Sequence, residues 1–205
     1  MPRLALLAIA VLLTGCSALL PSPPPPAAHL YQLQLETPLT KISPTPAEAR
    51  RGVVAVVQPQ VAAGYATTAM AYRRGPWEIN YYSQSRWVDD PARMLREALT
   101  NALDQLGPFR SALQAPSGIT ADYALYTEVL RLEQEFNHAP PSRERLTVRI
   151  KLIDLRHGVL LASRVLDLST PTPTEDAHGG AVAANALLRQ LAVGVVEFCR
   201  SALAG

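Results

Sequence analysis

Cysteine is scarce. Only Cys16 and Cys199 occur in 205 residues, which excludes a disulfide framework and a cysteine-built zinc centre. The four histidines, His29, His138, His157 and His178, lie far apart, and none has a second ligand at helical or turn spacing. Catalytic signatures are missing as well: there is no Gly-x-Ser-x-Gly elbow, no Ser-x-x-Lys and no phosphate loop. Asp89 and Asp90 form a carboxylate pair, yet their place just before Pro91 makes helix capping the better account. Gly179-Gly180 reads as a helix start rather than an anion cradle. Nothing here supports an enzyme, a metal or a cofactor. Lysine is nearly absent, with Lys41 and Lys151 the only two among 19 basic residues. The formal net charge of +2 excludes a nucleic-acid binder and a membrane contact driven by charge alone. No repeat of solenoid period is visible.

What is present begins at the N-terminus. Arg3 gives a short cationic start, residues 4–13 are all Leu, Ala, Ile or Val, and Thr14-Gly15 precede Cys16. Ten apolar residues are too few to span a bilayer, and the three-part layout is that of a secretory signal peptide. The ending resembles the bacterial lipobox, in which the cysteine thiol is diacylated, the chain is cut before it and the new amino terminus is acylated. The competing reading is an ordinary cysteine beside an ordinary cleavage site. The expected division is a signal peptide over 1–15, a lipidated Cys16 and Pro-rich linker over 16–28, and a single folded domain over 29–205. Each buried methylene is worth about 0.8 kcal/mol, so three acyl chains anchor a protein almost permanently. Ser17, in place of the Asp that favours inner-membrane retention in enterobacterial-type sorting, points to the outer membrane with the domain in the periplasm. Proline dominates residues 17–28 and favours extended polyproline II, which reaches up to ~37 Å.

Along the domain, residues 29–36 alternate as a first strand, and 37–50 read as a Pro-containing loop. Residues 53–57 form a continuous apolar run, the pattern of a strand covered on both faces. Segments 67–73 and 77–83 flank Arg74-Gly75-Pro76 as a hairpin. A helix follows from the Asp90 cap to Gly107-Pro108, with Leu95, Ala98, Leu99, Ala102, Leu103 and Leu106 in one stripe. A short strand over 109–113, a long one over 122–136 and a second hairpin of 145–155 with 159–168 come next. The last element is a helix over roughly 178–203, whose apolar stripe includes Cys199 as a packed thiol. The predicted class is α+β, a single mixed or antiparallel sheet packed by two long helices.

Aromatic residues cluster once. Trp77, Tyr81, Tyr82 and Trp87 fall within eleven residues. Core packing between hairpin and helix explains them, and so does a partner surface formed by Tyr81, Tyr82 and Trp87.

The chain resembles the ABC-type transport auxiliary lipoproteins, PqiC-like components of intermembrane transport. The resemblance rests on the order of segments: Tyr31 in the first strand, the 53–57 strand, Met70-Ala71-Tyr72, and Tyr81-Tyr82-Ser83-Gln84-Ser85-Arg86-Trp87 leading into Asp90-Pro91. Asp122-Tyr123-Ala124-Leu125, the hairpin around Gly158 and the Ala-rich last helix complete it. The loop Val61-Ala62-Ala63-Gly64-Tyr65 departs from the family pattern. The resemblance implies a non-enzymatic envelope component. Its partners would be an ABC permease and ATPase with their MCE-domain protein, in a system moving phospholipid or other hydrophobic molecules. Ring-shaped MCE partners would suit a cyclic homo-oligomer. A lipid-carrying domain and an outer-membrane assembly scaffold remain as alternatives.

Overall fold

A computed structural model describes residues 27–36, 43, 45–136 and 140–204. The signal peptide, Cys16, Ser17 and the prolines of the linker lie outside these residues, as does His138. The architecture is α+β, with one mixed nine-stranded sheet and two long helices.

The organising strand is β7 (Tyr123–Glu135). One of its edges is taken by β8 (Arg143–Asp154), antiparallel over nearly the whole length, and β9 (Val159–Pro171) continues outward as a hairpin partner. The other edge is shared by three strands in chain order. β2 (Arg51–Val56) pairs with residues 123–125, β3 (Gln60–Val61) with 128–129 and β4 (Ala69–Arg73) with 133–135, all parallel. The sheet therefore forks. β6 (Phe109–Gln114) extends the β2 branch, while β5 (Asn80–Trp87) and β1 (His29–Tyr31) extend the β4 branch.

Helix α1 (Pro91–Leu106) forms where its caps dictate. Asp90 Oδ1 accepts the Ala92 N–H at 2.8 Å, Pro91 fills the first position, and the Gly107 N–H closes on Leu103 O. All six residues of its predicted stripe are buried. Helix α2 (Ala177–Ala204) runs about 42 Å at 1.5 Å per residue. It is long and apolar enough to cross a membrane by length and composition, but Leu187, Leu188, Leu191, Val195 and Phe198 are packed in the core. Both helices lie on one face of the sheet, over Leu146, Val148, Ile150 and Leu152 of β8 and Val54 and Val56 of β2. Removing a leucine of this kind from water contributes roughly 1.5–3 kcal/mol.

Two expectations shift. The first strand stops at Tyr31, and residues 32–36 instead run as a strap against the helices. Their backbone is satisfied by a side chain: the Gln34 N–H donates to Asn185 Oδ1 at 2.8 Å, and Asn185 Nδ2 donates to Gln32 O at 2.9 Å. Leu33 is buried beneath the strap. The second change is at the first hairpin, whose outgoing arm spans Asn80–Trp87 rather than 77–83. Arg73 Nη1 donates to Pro76 O at 2.8 Å and holds a wide turn, so Trp77 sits in that turn instead of in a strand.

Candidate functional site

The first hairpin divides the aromatic cluster. Trp87, at the end of β5, is 4% exposed and lies in the core with Met70 and the start of α1. It is not available to a partner in this fold. Tyr82 is half-buried, its ring 4.8 Å from Tyr72, and its hydroxyl donates to Gln134 Oε1 at 2.8 Å. Tyr81 is exposed, and its hydroxyl donates to Gly64 O at 2.9 Å. Trp77, at the turn, is 96% exposed. Register explains the division. Ala69 pairs with Arg86 and Ala71 with Tyr81, so two steps along β4 correspond to five along β5. That bulge breaks the alternation between Tyr81 and Trp87. The structure thus gathers Trp77 and Tyr81 at the hairpin tip and sends Trp87 inward.

Beneath the hairpin runs a buried polar chain. Tyr82 reaches Gln134, Gln134 Nε2 donates to Ser142 Oγ at 2.8 Å, and Ser142 Oγ lies 2.6 Å from Thr172 Oγ1. Gly180 of α2 is part of this packing: a Cβ there would stand 2.7 Å from Gln134 Oε1. The Gly179 N–H is met by Asp176 Oδ1 at 2.9 Å, which caps the helix. Glu144 is buried next to this chain, and burial, with Glu133 and Glu135 adding, holds its carboxyl well above the usual carboxylate range. The same burial raises the Tyr82 hydroxyl.

The sheet face away from the helices is charged. Glu133 is fully buried under Tyr65, whose hydroxyl donates to Glu133 Oε2 at 2.7 Å, while Arg73 Nε lies 3.1 Å from Oε1. Burial and Glu133 push the Tyr65 hydroxyl up to about 12. Arg145 is held by Asp167, with Nε donating to Oδ1 at 2.9 Å, and Arg149 pairs with Glu128. A hollow of about 530 Å³ at the end of this face is lined by Arg73, Arg74, Arg131, Arg145, Glu135 and Phe136, with the Gly75-Pro76 turn at its rim. Sequence reasoning did not single out this arginine group. Arg73-Arg74 at a turn and alternate arginines on the next strands were its only signals, and their convergence depends on register.

The Cys199 thiol is buried, and burial pushes it up to about 12. His157 sits in the β8–β9 turn with Nδ1 3.0 Å from Asp154 Oδ2, and His178 lies beside the Tyr31 ring at 6.1 Å. Asp89 and Asp90 both accept at the start of α1. Among the described residues no group of three His, Cys, Asp or Glu side chains converges.

Among solved structures, protein XCC0632 from Xanthomonas campestris, a DUF330 protein, is similar at 21% identity with a TM-score of 0.72. The match covers 82% of this chain and 93% of that one. A second crystal structure, of an uncharacterized protein, matches at 16% identity and a TM-score of 0.64, over 83% of this chain and 97% of the other. At these identities the likeness shows the fold. No curated protein matches the sequence. Residues 31–196 match the family described as ABC-type transport auxiliary lipoprotein component, a stretch that spans β2 to β9 and most of α2. The chain belongs to the ABC-type transport auxiliary lipoprotein component family.

Proposed function

We propose that this protein is a non-enzymatic auxiliary lipoprotein of an ABC/MCE-type system, anchored in the outer membrane through Cys16 and reaching into the periplasm. In this role it docks the machinery that moves phospholipid or another hydrophobic molecule between the two membranes. Family membership over 31–196 carries the reading. The lipobox-like Leu13-Thr14-Gly15-Cys16, Ser17 and the proline-rich segment supply anchor, address and spacer. A lipid crossing water must be shielded over a long distance, so a partner tethered to the far membrane is a sensible docking element. The hairpin tip, with Trp77 and Tyr81 exposed, is the surface proposed to meet the MCE-domain partner. Trp87 supports that surface from within, and Tyr82 fixes the hairpin to β7 through Gln134.

Docking is favoured over lipid carriage because the space between sheet and helices is filled by side chains such as Leu99, Leu125, Ile150 and Leu188, all at 0–1% exposure. A non-catalytic role is supported by the desolvated Cys199 thiol and by Asp89 and Asp90 being engaged as helix-start acceptors. The test is gentle detergent purification of the full-length protein from native membranes, with co-purifying proteins and lipids identified. Recovery of an MCE-domain protein with its permease and ATPase is expected. Recovery with outer-membrane assembly proteins instead would replace this reading with the scaffold one.

A further inference from the structure

Strand β9 ends the sheet with a long open edge. Among the described residues it pairs with β8 alone, over thirteen residues, whereas the edge strands β1 and β6 have three and six. In an antiparallel pair every second residue turns its N–H and C=O away from the neighbour, so β9 presents a row of backbone groups with no strand to receive them. Natural edges are blunted by shortness, lysine or proline. β9 is long, has no lysine, and carries its one proline, Pro171, as its last residue. Val165, at the midpoint of Val159–Pro171, is 49% exposed.

Helix α2 runs beside this edge. The Arg164 guanidinium lies 5.7 Å from the Phe198 ring centroid, and a Cβ on Gly194 would stand 3.0 Å from Leu166 Cδ1. Helix residues 194–198 therefore sit above strand residues 164–166. The helix packs on both β8 and β9, which puts its axis above the gap between them. A second copy joined edge to edge would place its own α2 two strand spacings away, about 9–10 Å. Packed helices stand 8–10 Å apart, so the two would touch. The row of α2 turned that way is Gln190, Gly194, Glu197 and Ser201, one side of the helix, with Ser201 lining the groove beside Leu161–Arg164. Rotation about Val165 sets Gly194 against Glu197 of the second copy and Gln190 against Ser201, small against large each time.

We propose that β9 and this row of α2 form a twofold interface between two copies of the chain, antiparallel, with Val165 on the axis. The whole of β9 then pairs end to end, Arg164 opposite Leu166 and Ser163 opposite Asp167 of the second copy. Glu197 of the second copy approaches Arg164, and neither has an ion-pair partner among the described residues. The proposal does not rest on the docking role. β4–β5 lies on the other side of β7, so Trp77 of both copies stays free.

The test oxidises full-length Val165→Cys and Val159→Cys proteins with copper phenanthroline in native membranes. The two positions are 49% and 50% exposed, so chance collisions affect them alike. On the axis the two Cα atoms of residue 165 stand about 4.5–5.5 Å apart, within disulfide reach. The two copies of residue 159 would be about 40 Å apart. A disulfide-linked dimer from Val165→Cys and none from Val159→Cys is expected, above the background of the unsubstituted protein, whose Cys199 is buried. Light scattering in dodecyl maltoside should give a dimer, weakened about tenfold or more by Val165→Lys and by Ser201→Trp with unchanged melting temperature. Should Val165→Lys lower the melting temperature, Ser201→Trp decides. A monomeric unsubstituted protein, equal linking from both cysteines, no linking from position 165, or a dimer indifferent to both substitutions would overturn the interface.

Discussion

The two hairpins of this domain are built differently. β8–β9 pairs from Arg143↔Pro171 to Asp154↔Val159, with one register shift near the turn and a short connection. In that turn Asp154 Oδ1 accepts the N–H groups of Arg156 and His157, and Gly158 takes φ +65°. β4–β5 has few regular pairs, a bulge, a wide turn and an indole in solvent. One hairpin covers the core with Leu146, Val148, Ile150 and Leu152; the other sends Met70 and Trp87 into the core and leaves Trp77 and Tyr81 in solvent. Regular pairing with buried alternation builds the scaffold, whereas the irregular hairpin carries the exposed aromatics of the surface proposed to meet a partner.

The largest effects should come from crossing that division. Trp87→Ala, at the buried end of the irregular hairpin, is expected to cost about 3–5 kcal/mol in urea unfolding, and Ile150→Ala in the regular one about 2–5 kcal/mol. A loss below 1 kcal/mol at Trp87 would place it outside the core after all. Trp77→Ala, only a few residues away, should change stability by no more than about 0.5 kcal/mol.

Glu144 links the two hairpins electrostatically. Its raised pKa means that folding is unpenalised below the ordinary carboxylate value, and that stability falls as pH rises from there through the folded value. Glu144→Gln should therefore be relatively more stable at pH 8 than at pH 4, measured against the wild type by urea midpoints. A difference that does not grow with pH would contradict the burial of this carboxyl.

Gly158→Ala should cost about 1–2 kcal/mol, because its φ lies in the left-handed region. A small effect, confined to acid pH, belongs to Asp167, held down to about 2 by its hydrogen bonds with Arg145 and Thr147. Its contribution is present above the ordinary value near 3.8 and is lost as pH falls toward 2. At this exposed position Asp167→Asn should cost less than about 1 kcal/mol at pH 7, a cost that fades as pH falls through about 2.

The legible parts of the fold are those that local chemistry decides. The Asp90-Pro91 start, the Gly107 stop and the α1 stripe lie where capping and periodicity place them, and β8–β9 follows its alternation. Illegible parts depend on distant partners. Gln60 and Val61 become β3 only because Glu128 and Val129 offer an edge, and the 32–36 strap loses its strand to Asn185, more than 150 residues away. The aromatic cluster was visible as a composition, but its division was not. Alternation says which residues share a face, and the bulge between Tyr81 and Trp87 cancels that rule. The arginine hollow is assembled from three strands and a turn, so no single segment announces it.

In the proposed docking role the irregular hairpin faces the transport partner. A photocrosslinking residue at position 77, activated in intact membranes, tests it against the same residue at position 159 beside the regular turn. An adduct with an MCE-domain protein from position 77 and none from position 159 is the expected result. Partner adducts from 159 alone, with 77 silent and the fold unchanged, would contradict the account.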